Sequence, residues 1–124
     1  MAKHFPGPWI VGPVDDTLVR AVTTEGEYYT ICEMDGNYND PHQWPVMEAN
    51  ARLIAAAPDL LEALRLHKAW AESEKTGPDY QGMTRDTHPN GHAIWSKWWN
   101  DNLDLCDRAN KATDSAIAKA EGKS

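Results

Sequence analysis

Six tryptophans stand in a chain of 124 residues, and they are the side chains best suited to specific contact. Trp95, Trp98 and Trp99 lie within five positions of one another. On a helix of 3.6 residues per turn they spread over about 100° of arc, wide enough to leave one ring in part exposed. Tryptophan joins a large apolar body to one hydrogen-bond donor, which is why it is enriched where proteins meet. Trp70 ahead of a loop and Tyr80 within it add aromatic area. Two uses compete for this area. Trp95 and Trp98 can pack on the strands as core, or the group can serve as a surface for a partner or for self-association.

The same rings permit a different chemistry. Trp95, Trp99 or Tyr80 could stack on a base while Arg52 or Arg85 holds a phosphate, which would make the chain a small-ligand binder for a nucleotide signal. Asn50 would join Arg52 in such a site. Local bonding explains both residues as well: Asn50 through its amide, and Arg52 through an ion pair with Glu48 four residues earlier. Asp86, His88 and His92 are the best metal candidates. His88 and His92 are four apart, but Pro89 and Gly91 fall between them, so they do not share a helical face. Structural zinc usually takes cysteine too, and Cys32 and Cys106 are remote in sequence. No metal and no cofactor is expected. His42 and His67 are isolated and read as solvent-facing.

The carboxylate pairs, such as Asp104 with Asp107 and Glu72 with Glu74, suit a solvated helix face. The chain has no Gly-rich phosphate loop, nucleophile elbow or Ser-His-Asp order. The expectation is therefore a protein that is not an enzyme.

The elements that must position these residues follow from periodicity. Trp9, Ile10 and Val11 read as a short strand among prolines, which confine a strand to a sheet edge. PVDD, residues 13–16, reads as a turn. A second strand covers Leu18 to Val22, and Glu25-Gly26 reads as the hairpin turn after it. Tyr28 to Met34 alternates as a strand and ends at Asp35-Gly36. Residues 1–36 are thus an antiparallel meander. From residue 45 to 74 the period becomes helical, with Pro58 breaking or kinking the helix. Residues 75–91 are a loop of unusual length for a compact domain. Residues 92–120 form a long helix with apolar positions at Trp95, Trp98, Leu105, Ala109, Ala112 and Ala116, and with Asn102 interrupting. Three- and four-residue spacing suits antiparallel packing on the earlier helix. The fold class is α+β: a three-stranded antiparallel meander packed on a helical hairpin, in one domain over residues 1–124. The expected core is Trp9, Val11, Val19, Ile31, Leu53, Ile54, Leu61, Leu64, Trp98, Leu105 and Ala109.

The formal net charge is −7. The excess acid sits in residues 31–59, where Glu33, Asp35, Asp40, Glu48 and Asp59 stand against Arg52 alone. Such a chain lacks the basic footprint needed to grip a nucleic acid backbone. A basic protein partner remains compatible with it. MAKHFPGPW contains no apolar run of signal-peptide length, and no stretch reaches the ~18 apolar residues of a membrane span. The cytoplasm is the expected compartment, with Cys32 and Cys106 as reduced thiols.

Three segments carry a resemblance. HFPGPW, residues 4–9, is similar to an H-T-P-G-P-W start. EANARLIAAAPDLLEAL, residues 48–64, closely resembles a helix that recurs in small accessory proteins of tailed phages and prophages. ATDSAIAKAEG, residues 112–122, resembles the alanine-rich ending of the same group. The resemblance implies a phage or prophage origin and action in the host bacterial cytoplasm. It brings no catalytic residue with it. The tryptophan-rich stretch around residues 70–100 departs from the group's pattern, which would make it the specialised surface. The leading expectation is an accessory protein that binds and modulates or inhibits a host protein, in its sharpest form as counter-defence. The nucleotide-sequestering reading is the first alternative. The second is a homo-oligomeric structural or assembly protein that uses the alanine-rich helix as its interface.

Overall fold

The computed structural model describes residues 4–12, 17–36 and 40–123. The expected turn at 13–16 lies outside them. Three strands form one antiparallel sheet in the order β1-β2-β3. β1 is Trp9–Val11, β2 is Leu18–Val22 and β3 is Tyr28–Glu33. Trp9 pairs with Ala21 and Val11 with Val19. The β2–β3 turn is closed by Thr23 N–H donating to the Glu27 carbonyl at 2.9 Å. Gly26 supplies the positive φ, 81°, that this turn requires. β3 carries one extra residue: Val19 pairs with Cys32 but Arg20 pairs with Thr30, so Ile31 is bulged.

Three helices follow. They are α1, Trp44–Ala55; α2, Ala57–Thr76; and α3, Gly91–Ala120. Pro58 acts as expected. The helix breaks at Ala56, and Pro58 sits in the first turn of α2, where a missing amide is harmless. The sheet packs on α1, the first half of the broken arm, and α2 packs chiefly along α3. Val19, Ala51 and Ala55 form the buried centre, with Trp9, Val11, Ile31, Cys32, Met34 and Ile54 packed around them.

Two expected core residues are outside. Leu53 is 54% exposed and Leu64 is 66% exposed. The helix buries small residues instead: Met47, Ala51 and Ala55 on α1, and Ala63 on α2. Leu53 is two positions from Ala51, about 200° around a helix, and therefore points away from the sheet. Leu64 is one position, about 100°, from the seam residue Ala63.

The α2–α3 seam follows the spacing expected for α3. Asn102, Ala109 and Ala116 are buried, and Trp98, Leu105 and Ala112 lie half-buried between them. This alternation of four and three residues is that of antiparallel helices packed knob into hole. Three cross-links fix the register. Lys119 Nζ meets Asp59 Oδ2 at 2.8 Å. His67 Nε2 lies 2.7 Å from Thr113 Oγ1. Asn102 Nδ2 donates to Glu74 Oε1 at 2.8 Å. Thr113 spends its own hydroxyl proton on the Ala109 carbonyl, so His67 must be the donor in its pair. His67 is thus part of the seam and not solvent-facing, whereas His42 is exposed.

Candidate functional site

The aromatic group gathers at the loop end of the α2–α3 hairpin. Trp95 and Trp99 are one helical turn apart, and their rings stack with centroids 5.5 Å apart and planes 12° apart. Trp98 and Trp99 meet at 6.2 Å, tilted by 50°. Arg85, from the preceding loop, lays its guanidinium over the Trp95 ring, 4.2 Å from the centroid. Its Nη2 also donates to His92 Nδ1 at 3.0 Å. The His92 ring stacks against Trp95 with centroids 6.3 Å apart. One cation therefore clamps an imidazole and an indole, an arrangement that holds best where water is partly excluded.

The loop is built to deliver Arg85 there. The Thr84 and Thr87 hydroxyls lie 3.0 Å apart and each accepts from the other residue's amide. His88 N–H donates to the Thr84 carbonyl at 2.9 Å. Gly91 is buried against the Arg85 backbone, and any Cβ there would collide with the Arg85 carbonyl. Helix α3 therefore starts at a glycine because Arg85 passes directly over it. His88 Nδ1 accepts from the Asn90 amide at 2.9 Å and His92 Nδ1 from Arg85, so both are engaged in holding the loop. No group of three or more His, Cys, Asp or Glu side chains stands together as a metal cage among the described residues.

The sequence-derived residues divide between two places. Trp95, Trp98, Trp99 and Arg85 come together. Tyr80 is on the same loop, half-buried. Trp70 is held on α2, donating through Nε1 to Glu74 Oε1 at 3.1 Å, the oxygen that also receives Asn102. Arg52 and Asn50 are elsewhere. Both are on α1, and Arg52 packs against Gly122 at the far end of α3. A 30-residue helix is about 45 Å long, so Arg52 and Arg85 cannot grip one small ligand. Arg52 is not paired with Glu48 either. Its Nε is buried without a hydrogen-bond partner.

Trp95 and Trp98 do not pack on the meander. Trp98 lines a groove of about 240 Å³ with Ile94 and Asp101 of α3 and Gly77, Pro78 and Asp79 of the loop. Its Nε1 is buried there without a partner. Trp99 turns outward and is 42% exposed, and Leu103, one turn on, is 49% exposed. Leu103 extends the aromatic surface; its signal in the sequence is its spacing of four from Trp99. His92, weighed in the sequence only as a metal ligand, is the second missed member. The alanine-rich face of α3, by contrast, is consumed within the hairpin: Ala109 and Ala116 are buried against α2.

No helix among the described residues is long and apolar enough to cross a membrane. Comparison with known proteins places the whole chain in one family. Residues 1–124 match the family described as Salmonella phage P22 protein Y8K6, and the chain belongs to it. The match runs through residues 70–100, so the tryptophan-rich stretch lies inside the family's span. No curated protein and no solved structure matches the chain.

Proposed function

We propose that this phage protein is an accessory factor that acts in the host cytoplasm by binding a host protein, without catalysis. The docking surface is the loop end of the hairpin, centred on Trp99 and Leu103. The observation that carries this reading is the state of the tryptophans. Trp95 is pinned beneath Arg85 and stacked on Trp99, so a rigid aromatic ledge is already formed with its outer ring open. A pre-ordered indole costs little further entropy on binding, and such rings dominate interface energetics. The nucleotide reading has less support, because Arg52 lies at the other end of α3 and Arg85 is already engaged with Trp95 and His92. Inhibition of a host defence system is the most specific form of this reading.

The test is affinity capture from a bacterial host lysate with the wild-type chain and with Trp99→Ala, eluates compared by mass spectrometry. A host protein retained by the wild type and lost from the variant supports the assignment. Equal retention by both moves the surface elsewhere, and no retained protein ends the reading.

A further inference from the structure

The two edges of the sheet are unlike. β1 pairs over only three residues and is preceded by Pro6 and Pro8, which have no amide to offer a further strand. β3 is longer, contains no proline, and carries no lysine or arginine. Its outer side faces no described strand, because the sheet ends there. Tyr28 and Tyr29 are 49% and 44% exposed along it. An open strand edge is a row of unmet donors and acceptors, and proteins normally blunt it.

Charge says what fits there. Residues 21–51 contain six carboxylates and no lysine or arginine. Glu25 and Glu27 flank the Tyr28 end of the edge, and Asp35 flanks the other. Pairing with a second copy would bring two acidic edges together, which is unfavourable for like charges. A strand bearing lysine or arginine meets the opposite field. Phe5 supplies a further feature. Its ring stacks on Tyr29 with centroids 5.2 Å apart, and it also walls an apolar groove of about 480 Å³ with Pro6, Pro8, Ala21 and Val22. The stacked Phe5 and Tyr29 rings, both about half exposed, give the uncharged side chains of a docked strand an apolar surface beside the edge.

We infer that the outer edge of β3 takes an extended basic segment of another protein as a fourth strand. Main-chain hydrogen bonds to Tyr28–Ile31 supply the grip, while Glu25, Glu27 and Asp35 select for positive charge. This surface is separate from the tryptophan ledge, and the inference stands or falls independently of it.

The probe is a capped hexapeptide alternating lysine and valine, titrated into the ¹⁵N-labelled full chain. Two control peptides accompany it: one with glutamate for lysine, the other N-methylated on alternate amides. Saturable shifts centred on Tyr28–Ile31 are expected from the basic peptide. Each control should weaken binding by about tenfold or more, through lost charge attraction or lost strand hydrogen bonds. Glu25→Lys with Glu27→Lys should do the same, and Trp99→Ala should bind as the wild type. Absence of binding, binding indifferent to N-methylation, or shifts centred on α3 would overturn the inference.

Discussion

The two ends of the α2–α3 hairpin are held by different means. At the end where α1 meets α2, small residues close the structure. Pro58 leaves no room over Gly7, since a Cβ there would sit 2.9 Å from the proline ring. Asp59 is bridged to Lys119, Arg52 packs on Gly122, and Ala55 and Ala56 are buried. These residues belong to the beginning, the middle and the end of the chain. At the loop end no alanine seam operates. Asn102 is buried, and beyond it large rings and one arginine finish the hairpin. The difference separates a tightly closed end from an end with exposed apolar surface within a single hairpin. The closed end locks the chain's three parts together, and the loop end is where large apolar surface is left to spare.

The largest effect should come from Gly91→Ala. The new methyl group meets the Arg85 carbonyl, so the loop must lift off the helix start. Overpacking against backbone should cost about 3 kcal/mol, and Arg85 should leave Trp95. Thermal unfolding measures the first, and a change in tryptophan fluorescence the second. If stability falls while fluorescence is unchanged, the loop does not hold the aromatic ledge. Next is Ala109→Leu in the fully buried seam, where added volume should cost about 2 kcal/mol by denaturant unfolding. Asn102→Leu should act in the opposite direction. Its Oδ1 is buried without a partner, and its loss should raise stability by about 1 kcal/mol. The removal also frees Glu74 from the seam, and with it the polar lock on register. A destabilised Asn102→Leu protein would show that the lock outweighs the orphaned oxygen.

Trp99→Ala is the substitution that sharpens the contrast between the two ends. Stability should fall by about 1–3 kcal/mol, the worth of its two ring contacts with Trp95 and Trp98. Partner affinity should fall by about 2 kcal/mol, or roughly thirtyfold, if Trp99 anchors the interface. Unfolding and capture assays on one preparation give both numbers.

The architecture was legible because each signal was local. Alternation set the strands, Gly26 the hairpin turn, Pro58 the helix break, and the spacing of Trp98, Leu105 and Ala109 the seam. Leu53 and Leu64 stand outside the core because side-chain size is no measure of burial here. In this hairpin the close contacts are made by alanines, and exposed leucines are ordinary. His67 was misread because its partner, Thr113, is 46 residues away. The aromatic cluster was half legible. The spacing of Trp95, Trp98 and Trp99 implies one partly exposed ring, which is Trp99, but nothing in the sequence says that Arg85 folds back over Trp95. That contact depends on the loop's path over Gly91, which only the assembled backbone fixes.

The Cys32 thiol, packed beside the sheet core, has its pKa pushed up by desolvation. A raised value keeps the thiol neutral in the folded chain after an unfolded one would ionise. Stability should therefore hold below the unfolded thiol's pKa of about 8.5 and decline slightly as pH rises through it. Cys32→Ser should flatten that decline in pH-dependent unfolding. At pH 8 the native Cys32 should also alkylate more slowly than in urea.

The smallest effects test whether the two ends differ in electrostatics as well as in packing. Lys119–Asp59 crosses between helices at the closed end, with side chains 32% and 43% exposed. Lys97–Asp101 lies within α3 near the ledge, also short at 2.7 Å, but its side chains are 79% and 66% exposed. Distance alone would rank them equal. Solvent screening and side-chain entropy rank them differently, because the exposed pair gains little beyond what water already gives each charge. Lys119→Met should cost about 0.5–1 kcal/mol and lose part of that cost in high salt, whereas Lys97→Met should change stability by less than about 0.3 kcal/mol. Equal effects would mean that the closed end is held by its alanines and by Gly7 against Pro58, with the bridge contributing no more than a surface pair.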